Sequence, residues 1–232
     1  MKPISLAKTR KVLDILAQTY PDAKCALNFR TPFELLIATM LSAQCTDARV
    51  NMVTERLFQK YHGPEDYASI TPDILEVDIK ELGLFRSKAE HIVAMSRILL
   101  EEHSGEVPRT REELVKLPGV GKKTANVVLS NAFGVPAIAV DTHVLRVSNR
   151  IGLADSSTPD GTEQMLCKRV PKYLWSSAHH WLIHHGRNIC TARKPKCEVC
   201  PVQEYCRYYA ASLSSDKKPK AKAQSKPATK AN

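Results

Sequence analysis

Cys190, Cys197, Cys200 and Cys206 fall within one 17-residue window of the 232-residue chain, spaced C-x6-C-x2-C-x5-C. Thiolates are soft metal ligands, suited to iron–sulfur clusters and to zinc. Structural zinc favours two tight Cys pairs separated by roughly 12–20 residues. Here a single C-x2-C is present and the fourth ligand follows closely. That compactness suits thiolates wrapping one cubane corner by corner, so spacing places an iron–sulfur cluster ahead of zinc and leaves zinc open. Arg193, Lys194 and Lys196 lie between the first two cysteines, where a metal-pinned loop would turn them toward phosphate. Cys25, Cys45 and Cys167 are scattered and read as buried small apolar residues. An odd total of seven, without a secretion-type apolar start, argues against a disulfide framework.

A second chemical centre lies in TREELVKLPGVGKKTANVVLSNAF, residues 110–133. Two amphipathic helices flank Pro118-Gly119-Val120-Gly121, and the two glycines allow positive φ and close backbone approach. The second helix starts near Gly121, so its unpaired N–H groups and positive dipole end offer an anion site. With Lys122 and Lys123 adjacent, a DNA phosphate is the natural guest of Gly119, Val120, Gly121 and Lys122. The plainer reading is an αα-hairpin whose glycines serve tight packing alone. Eighteen residues after Lys123, Asp141 stands before THVLRV as a helix cap. A primary amine forms an imine, which no secondary or tertiary alcohol can do, but periodicity does not choose between Lys122 and Lys123. His179, His180, His184 and His185 have i, i+4 spacing without a third ligand in pattern, so packing or backbone contact is expected there, not a metal.

These residues need helices to hold them. Apolar residues recur at three- and four-residue spacing, and helices are predicted over 5–19, 32–43, 47–60, 88–102, 111–117, 122–133, 142–151, 162–170 and 178–188. Thr31-Pro32, Thr71-Pro72 and Thr158-Pro159 each pair a hydroxyl cap with a first-turn proline. VPAIAV, residues 135–140, is the one strand-like run and is expected to be an extended connector. No apolar run approaches the roughly 18 residues of a membrane span. The chain carries 34 Lys+Arg against 24 Asp+Glu, a net charge of +10, which points to a polyanionic partner. The stretch from Asp216 holds six lysines and one aspartate and contributes +5 of that charge. Fourteen aromatic residues are few for a single-strand stacking platform.

The text LPGVGKKTANVVLSNAFGVPAIAVDTHVLRVSNR, with FELLIATMLSAQCTD, LGLFRSKAEHI, HHWLIHHGR and the cysteine window, closely resembles the endonuclease III family of DNA glycosylases. The resemblance spans roughly residues 3–210. It implies an all-α fold of two helical domains around a DNA-binding cleft, with a helix-hairpin-helix motif and a C-terminal [4Fe–4S] cluster loop. Residues 22–135 would form the hairpin domain. Residues 1–21 and 136–211 would form the cluster domain, and 212–232 a disordered basic tail. It implies Lys123 as the nucleophile at C1′ and Asp141 as the group that stabilises charge on the sugar. It implies Gln44 entering the space left by the extruded nucleotide, Leu84 as the apolar wedge, and Asp47 near the pocket. His143 would line the pocket or the phosphate track. The implied activity is base-excision repair by a bifunctional glycosylase and abasic-site lyase on oxidised pyrimidines. Its partner would be double-stranded DNA carrying damaged bases or abasic sites, with no membrane involved. A monomer in the cytoplasm, nucleoid-associated if bacterial, is expected. Mismatch-specific thymine/uracil or adenine glycosylases share the scaffold, and a non-catalytic helix-hairpin-helix protein is the alternative outside catalysis.

Overall fold

A computed structural model describes residues 2–216. Among the described residues there are twelve α-helices and no strand. The helices are α1 (Leu6–Thr19), α2 (Pro32–Leu41), α3 (Asp47–Lys60), α4 (Pro64–Ser69), α5 (Pro72–Ile79) and α6 (Phe85–His103). They continue as α7 (Arg111–Leu114), α8 (Lys122–Ala132), α9 (Thr142–Ile151), α10 (Pro159–Arg169), α11 (Trp175–Asn188) and α12 (Arg207–Asp216).

Two apolar cores organise them. The first surrounds α2, which is buried from Phe33 to Leu41 because its residues are apolar around nearly the whole circumference. Val50 and Val53 of α3, Ile92 and Met95 of α6, and Val128 of α8 pack on it. The second joins Val12, Leu13 and Leu16 of α1 to Val144, Val147 and Ile151 of α9, Leu166 of α10, and Trp181 and Leu182 of α11. The N-terminal helix thus closes a core otherwise built by the C-terminal half. The extended segment 135–140 passes from one to the other, with Ala137 in the first core and Ile138 and Val140 in the second. Three ion pairs bridge the same seam: Asp47 with Arg187 at 2.7 Å, Arg111 with Glu163 at 2.6 Å, and Lys122 with Asp160. Partly exposed pairs add little stability; these hold the two halves in register.

Several sequence expectations need correction. Thr31 and Thr158 cap their helices, accepting bonds from the N–H groups of Glu34 and Gly161, both at 3.1 Å, whereas Thr71 makes no side-chain cap bond. α10 begins at Pro159, α11 at Trp175 and α6 at Phe85, each three residues ahead of the predicted start. α7 is a single turn, because Pro118 bars helical geometry at Leu117 and the chain must reverse within a few residues. Thr71-Pro72 marked the start of α5, though its span was not predicted, and α4 was not predicted at all; both are short, and both owe their place to packing on α6. α12 carries helix to Asp216, past the expected boundary at 211, and the remainder of the basic tail lies outside the described residues. Cys25, Cys45 and Cys167 are half-buried rather than buried.

Candidate functional site

The hairpin between α7 and α8 combines one crowded glycine with one open glycine. Gly119 has φ +74°, and a Cβ there would sit 2.9 Å from both His91 Cβ and Met40 Cε. Conformation and space therefore both demand glycine. Gly121 heads α8 with nothing within 4 Å of where a Cβ would be, and no side chain caps this end. The first-turn amides are left for an external acceptor, as an anion site requires. The Val120 side chain is buried and its N–H donates to Leu117 O at 3.1 Å, so it anchors the hairpin, and only its carbonyl is left to face outward. Lys122 is exposed but engaged with Asp160, so a phosphate must compete for it.

Behind the hairpin, a cavity opens at the seam. Lys123 and Asp47 line it from the first core, and Asp141, His180, His184 and Arg187 from the second. Lys123 occupies the first turn of α8, lines the cavity and is exposed. Asp141 caps α9, with Oδ1 accepting from Val144 N–H at 2.7 Å, so the carboxylate is fixed in place and its other oxygen remains available. One bond ties the two together: Asn126, one turn after Lys123, donates from Nδ2 to Ile138 O at 2.9 Å, three residues before Asp141. Asp47 does not cap α3; Thr46 does, and Asp47 pairs with Arg187. His143 is absent from the cavity wall. Its Nδ1 accepts from Arg146 at 3.1 Å and the ring packs on Gly186.

The histidines of α11 are packed between the cores, and sequence reasoning missed three, His179, His180 and His184, as cavity residues. Asn131 spends Nδ2 as a donor to Val127 O, so its Oδ1 accepts from His180 Nε2 at 2.9 Å. Burial, then the neighbouring His179 and His184, push the His180 imidazole down to about 3. Burial likewise lowers His179 to about 4. His180 therefore presents a neutral ring of fixed tautomer to the cavity. Periodicity on α11 carries no signal for this, since it shows which face is apolar but not what faces it.

Gln44 and Leu84 lie beyond the cavity, on the α2–α3 and α5–α6 loops. Both are exposed, Leu84 to 55%. Both have left-handed backbones, with φ 57° and 59°, a region uncommon for non-glycine residues and notable for a bulky one. The loops touch: a Cβ on Gly83 would lie 3.9 Å from Gln44 O.

Cys190, Cys197, Cys200 and Cys206 surround a second, largely apolar cavity with Ile151, Ile189 and Tyr209. Burial raises the Cys200 thiol to about 11 and shifts Cys197 and Cys206 the same way, so thiolates at these three positions need a bound cationic centre. The thiols ring a space instead of converging on one point, and among the described residues no three His, Cys, Asp or Glu groups could hold a single ion. An iron–sulfur cluster fits that arrangement, because each thiolate meets its own iron. Arg150 braces the loop by donating to Thr191 O at 2.7 Å and Ala192 O at 2.8 Å. Arg193, Lys194 and Lys196 are exposed on it.

Comparison with known proteins bears on both centres. The profile of the HhH-GPD superfamily of base excision DNA repair proteins matches residues 37–172. That of the iron–sulfur binding domain of endonuclease III matches residues 190–206. Endonuclease III of Bacillus subtilis (strain 168) is 52% identical over 207 residues, 88% of this chain and 94% of that protein. A trapped endonuclease III–DNA covalent intermediate superposes with a TM-score of 0.87 at 51% identity, covering 90% of this chain and 99% of that one. A thermostable thymine-DNA glycosylase superposes with a TM-score of 0.79 at 28% identity, covering 88% and 98%.

Proposed function

The chain belongs to the endonuclease III family within the HhH-GPD superfamily, and from that premise we propose how its seam cavity carries out glycosylase and lyase chemistry. The enzyme is a DNA glycosylase and abasic-site lyase of base excision repair, with an iron–sulfur cluster. The observation that carries the residue assignment is that Lys123 and Asp141, from different cores, line one cavity.

Chemistry at C1′ requires the damaged nucleotide to leave the base stack. Phosphates seated at Gly119, Gly121 and Lys122, and at Arg193, Lys194 and Lys196, position the duplex without reading its sequence. Gln44 and Leu84 fill the vacated space. As the glycosidic C1′–N bond lengthens, positive charge grows on the sugar, and the Asp141 carboxylate stabilises it. The Lys123 amine, having given up its proton, donates its lone pair to C1′, and the base leaves with the bond pair and takes up a proton. Ring opening yields an imine between Lys123 and the sugar. Loss of a C2′ proton then expels the 3′ phosphate by β-elimination, and water releases the lysine. Asp141 accepts the amine proton before attack and passes it on to the departing base, so it is ionised again while positive charge stands on the sugar. The cluster, which we assign as [4Fe–4S] on Cys190, Cys197, Cys200 and Cys206, supplies a cross-link that holds the basic loop.

Oxidised pyrimidines are the proposed substrates, supported by the higher identity to endonuclease III than to the thymine-DNA glycosylase. We place the enzyme in the DNA-containing cytoplasm as a monomer; among the described residues no helix is long and apolar enough to cross a membrane. The test is borohydride trapping on abasic duplex DNA. Lys123→Gln should lose the trapped complex entirely while binding DNA within about threefold of wild type, since one cation among many phosphate contacts is lost. Trapping that survives in Lys123→Gln overturns the assignment. Excision from duplexes carrying thymine glycol, uracil, mismatched adenine or 8-oxoguanine decides the base.

A further inference from the structure

We propose that Lys88 is a positioning residue that locks Gln44 and Leu84 into one rigid pair for insertion into the duplex; the inference rests on the insertion role given to those residues above. Lys88 lies in the second turn of α6 and is only 6% exposed. Its ammonium donates to Leu41 O at 2.8 Å, to Ala43 O at 2.8 Å and to Cys45 Sγ at 3.5 Å. Three donors meet three acceptors, so the buried group is fully satisfied. Leu41 ends α2, while Ala43 and Cys45 flank Gln44 on either side. From its own backbone, Lys88 donates N–H to Leu84 O at 3.1 Å, the first helical bond after the left-handed turn at Leu84. One residue thus ties down the chain around both insertion residues.

Capping alone does not account for this. A lysine that served only the C-terminal end of α2 needs Leu41 O and nothing more. The bonds on both sides of Gln44 hold that residue in a left-handed conformation, which persists only where its surroundings impose it. Leu84 shares the conformation and adjoins Gln44 through Gly83. Two side chains that must enter a base stack together cannot drift relative to each other, and a buried three-way tie suppresses that drift better than either loop alone. The spacing of LGLFRSK offers no hint of it, because the acceptors lie more than forty residues earlier.

The experiment compares single-turnover excision of one lesion in two settings, a fully paired duplex and a single-nucleotide bulge, where extrusion is already largely complete. Lys88→Met should slow the paired substrate about tenfold and the bulged one less than twofold, since misplacement affects the step that opens the stack. Lys88→Arg, which retains the charge for folding but changes the donor geometry, should show the same selective loss to a lesser degree. In a Gln44→Ala/Leu84→Ala background, Lys88→Met should add almost nothing for the paired substrate. Equal losses on both substrates in both Lys88 variants, or a full additional loss in the double-variant background, would overturn the inference while leaving the insertion reading intact. Full-rate excision of the paired lesion by Gln44→Ala/Leu84→Ala would instead overturn the insertion reading, and the inference with it.

Discussion

The four cysteines of the cluster loop lie within seventeen consecutive residues and surround one cavity, whereas the cavity around Lys123 and Asp141 draws its walls from residues as far apart as Lys24 and Arg187. The loop is local because it has little apolar content with which to fold. Its order must come from ligands close together in the chain and from Arg150 reaching its carbonyls. The seam is non-local because the proposed chemistry needs an amine and a carboxylate held independently, Lys123 on the first turn of α8 and Asp141 at the N-cap of α9, each helix rooted in a different core. The proposed roles divide accordingly: the loop's residues for stability and DNA position, the seam's residues for reaction rate.

The separation breaks if chemistry and stability fall together. The largest effect is expected for Asp141→Asn. Asparagine caps helices about as well as aspartate, so the N-cap bond to Val144 is retained and Tm should change little. Base release should slow about a thousandfold for want of the carboxylate charge. A single-turnover assay beside a melting curve reads both. The reverse pattern is expected for Cys197→Ser, which should lose the visible absorption of the cluster, lower Tm and weaken DNA binding. Trapping per folded molecule should persist. A colourless Cys197→Ser protein with wild-type Tm and affinity would show that the cluster is not what holds the loop.

The smallest effect sharpens the comparison from the seam side. The His180 imidazole titrates near 3 in the fold and near 6.5 when exposed. Below pH 6.5 the unfolded chain takes up a proton that the folded chain refuses, so the stability due to neutral His180 is complete above pH 6.5 and erodes as pH falls toward 3. His180→Gln removes that uptake, and its Tm should fall less than wild type's between pH 7 and pH 4.5. Parallel Tm profiles for the two proteins would mean that His180 is protonated in the fold.

The amino-acid sequence alone determined the pieces with short-range codes. Cysteine spacing marked the metal loop, hydroxyl–proline pairs marked the starts of α2, α5 and α10, and Gly119 and Gly121 marked the hairpin, since ligand spacing, capping and turn geometry are properties of a few neighbouring residues. Asp141 as a cap was legible for the same reason. The roles proposed for Lys123, Gln44 and Leu84 came through resemblance, because nothing in their immediate neighbours distinguishes an active lysine or a wedge leucine. What faced what belonged to the tertiary structure. It turned Val120 inward, paired Lys122 with Asp160, moved His143 off the cavity and brought His180 onto it. It also set Lys88 beneath Gln44. Lys122, His180 and Lys88 find these partners 38 to 49 residues away in the chain. Burial and partnership are pairwise properties of surfaces that only folding brings together, and no local periodicity carries them.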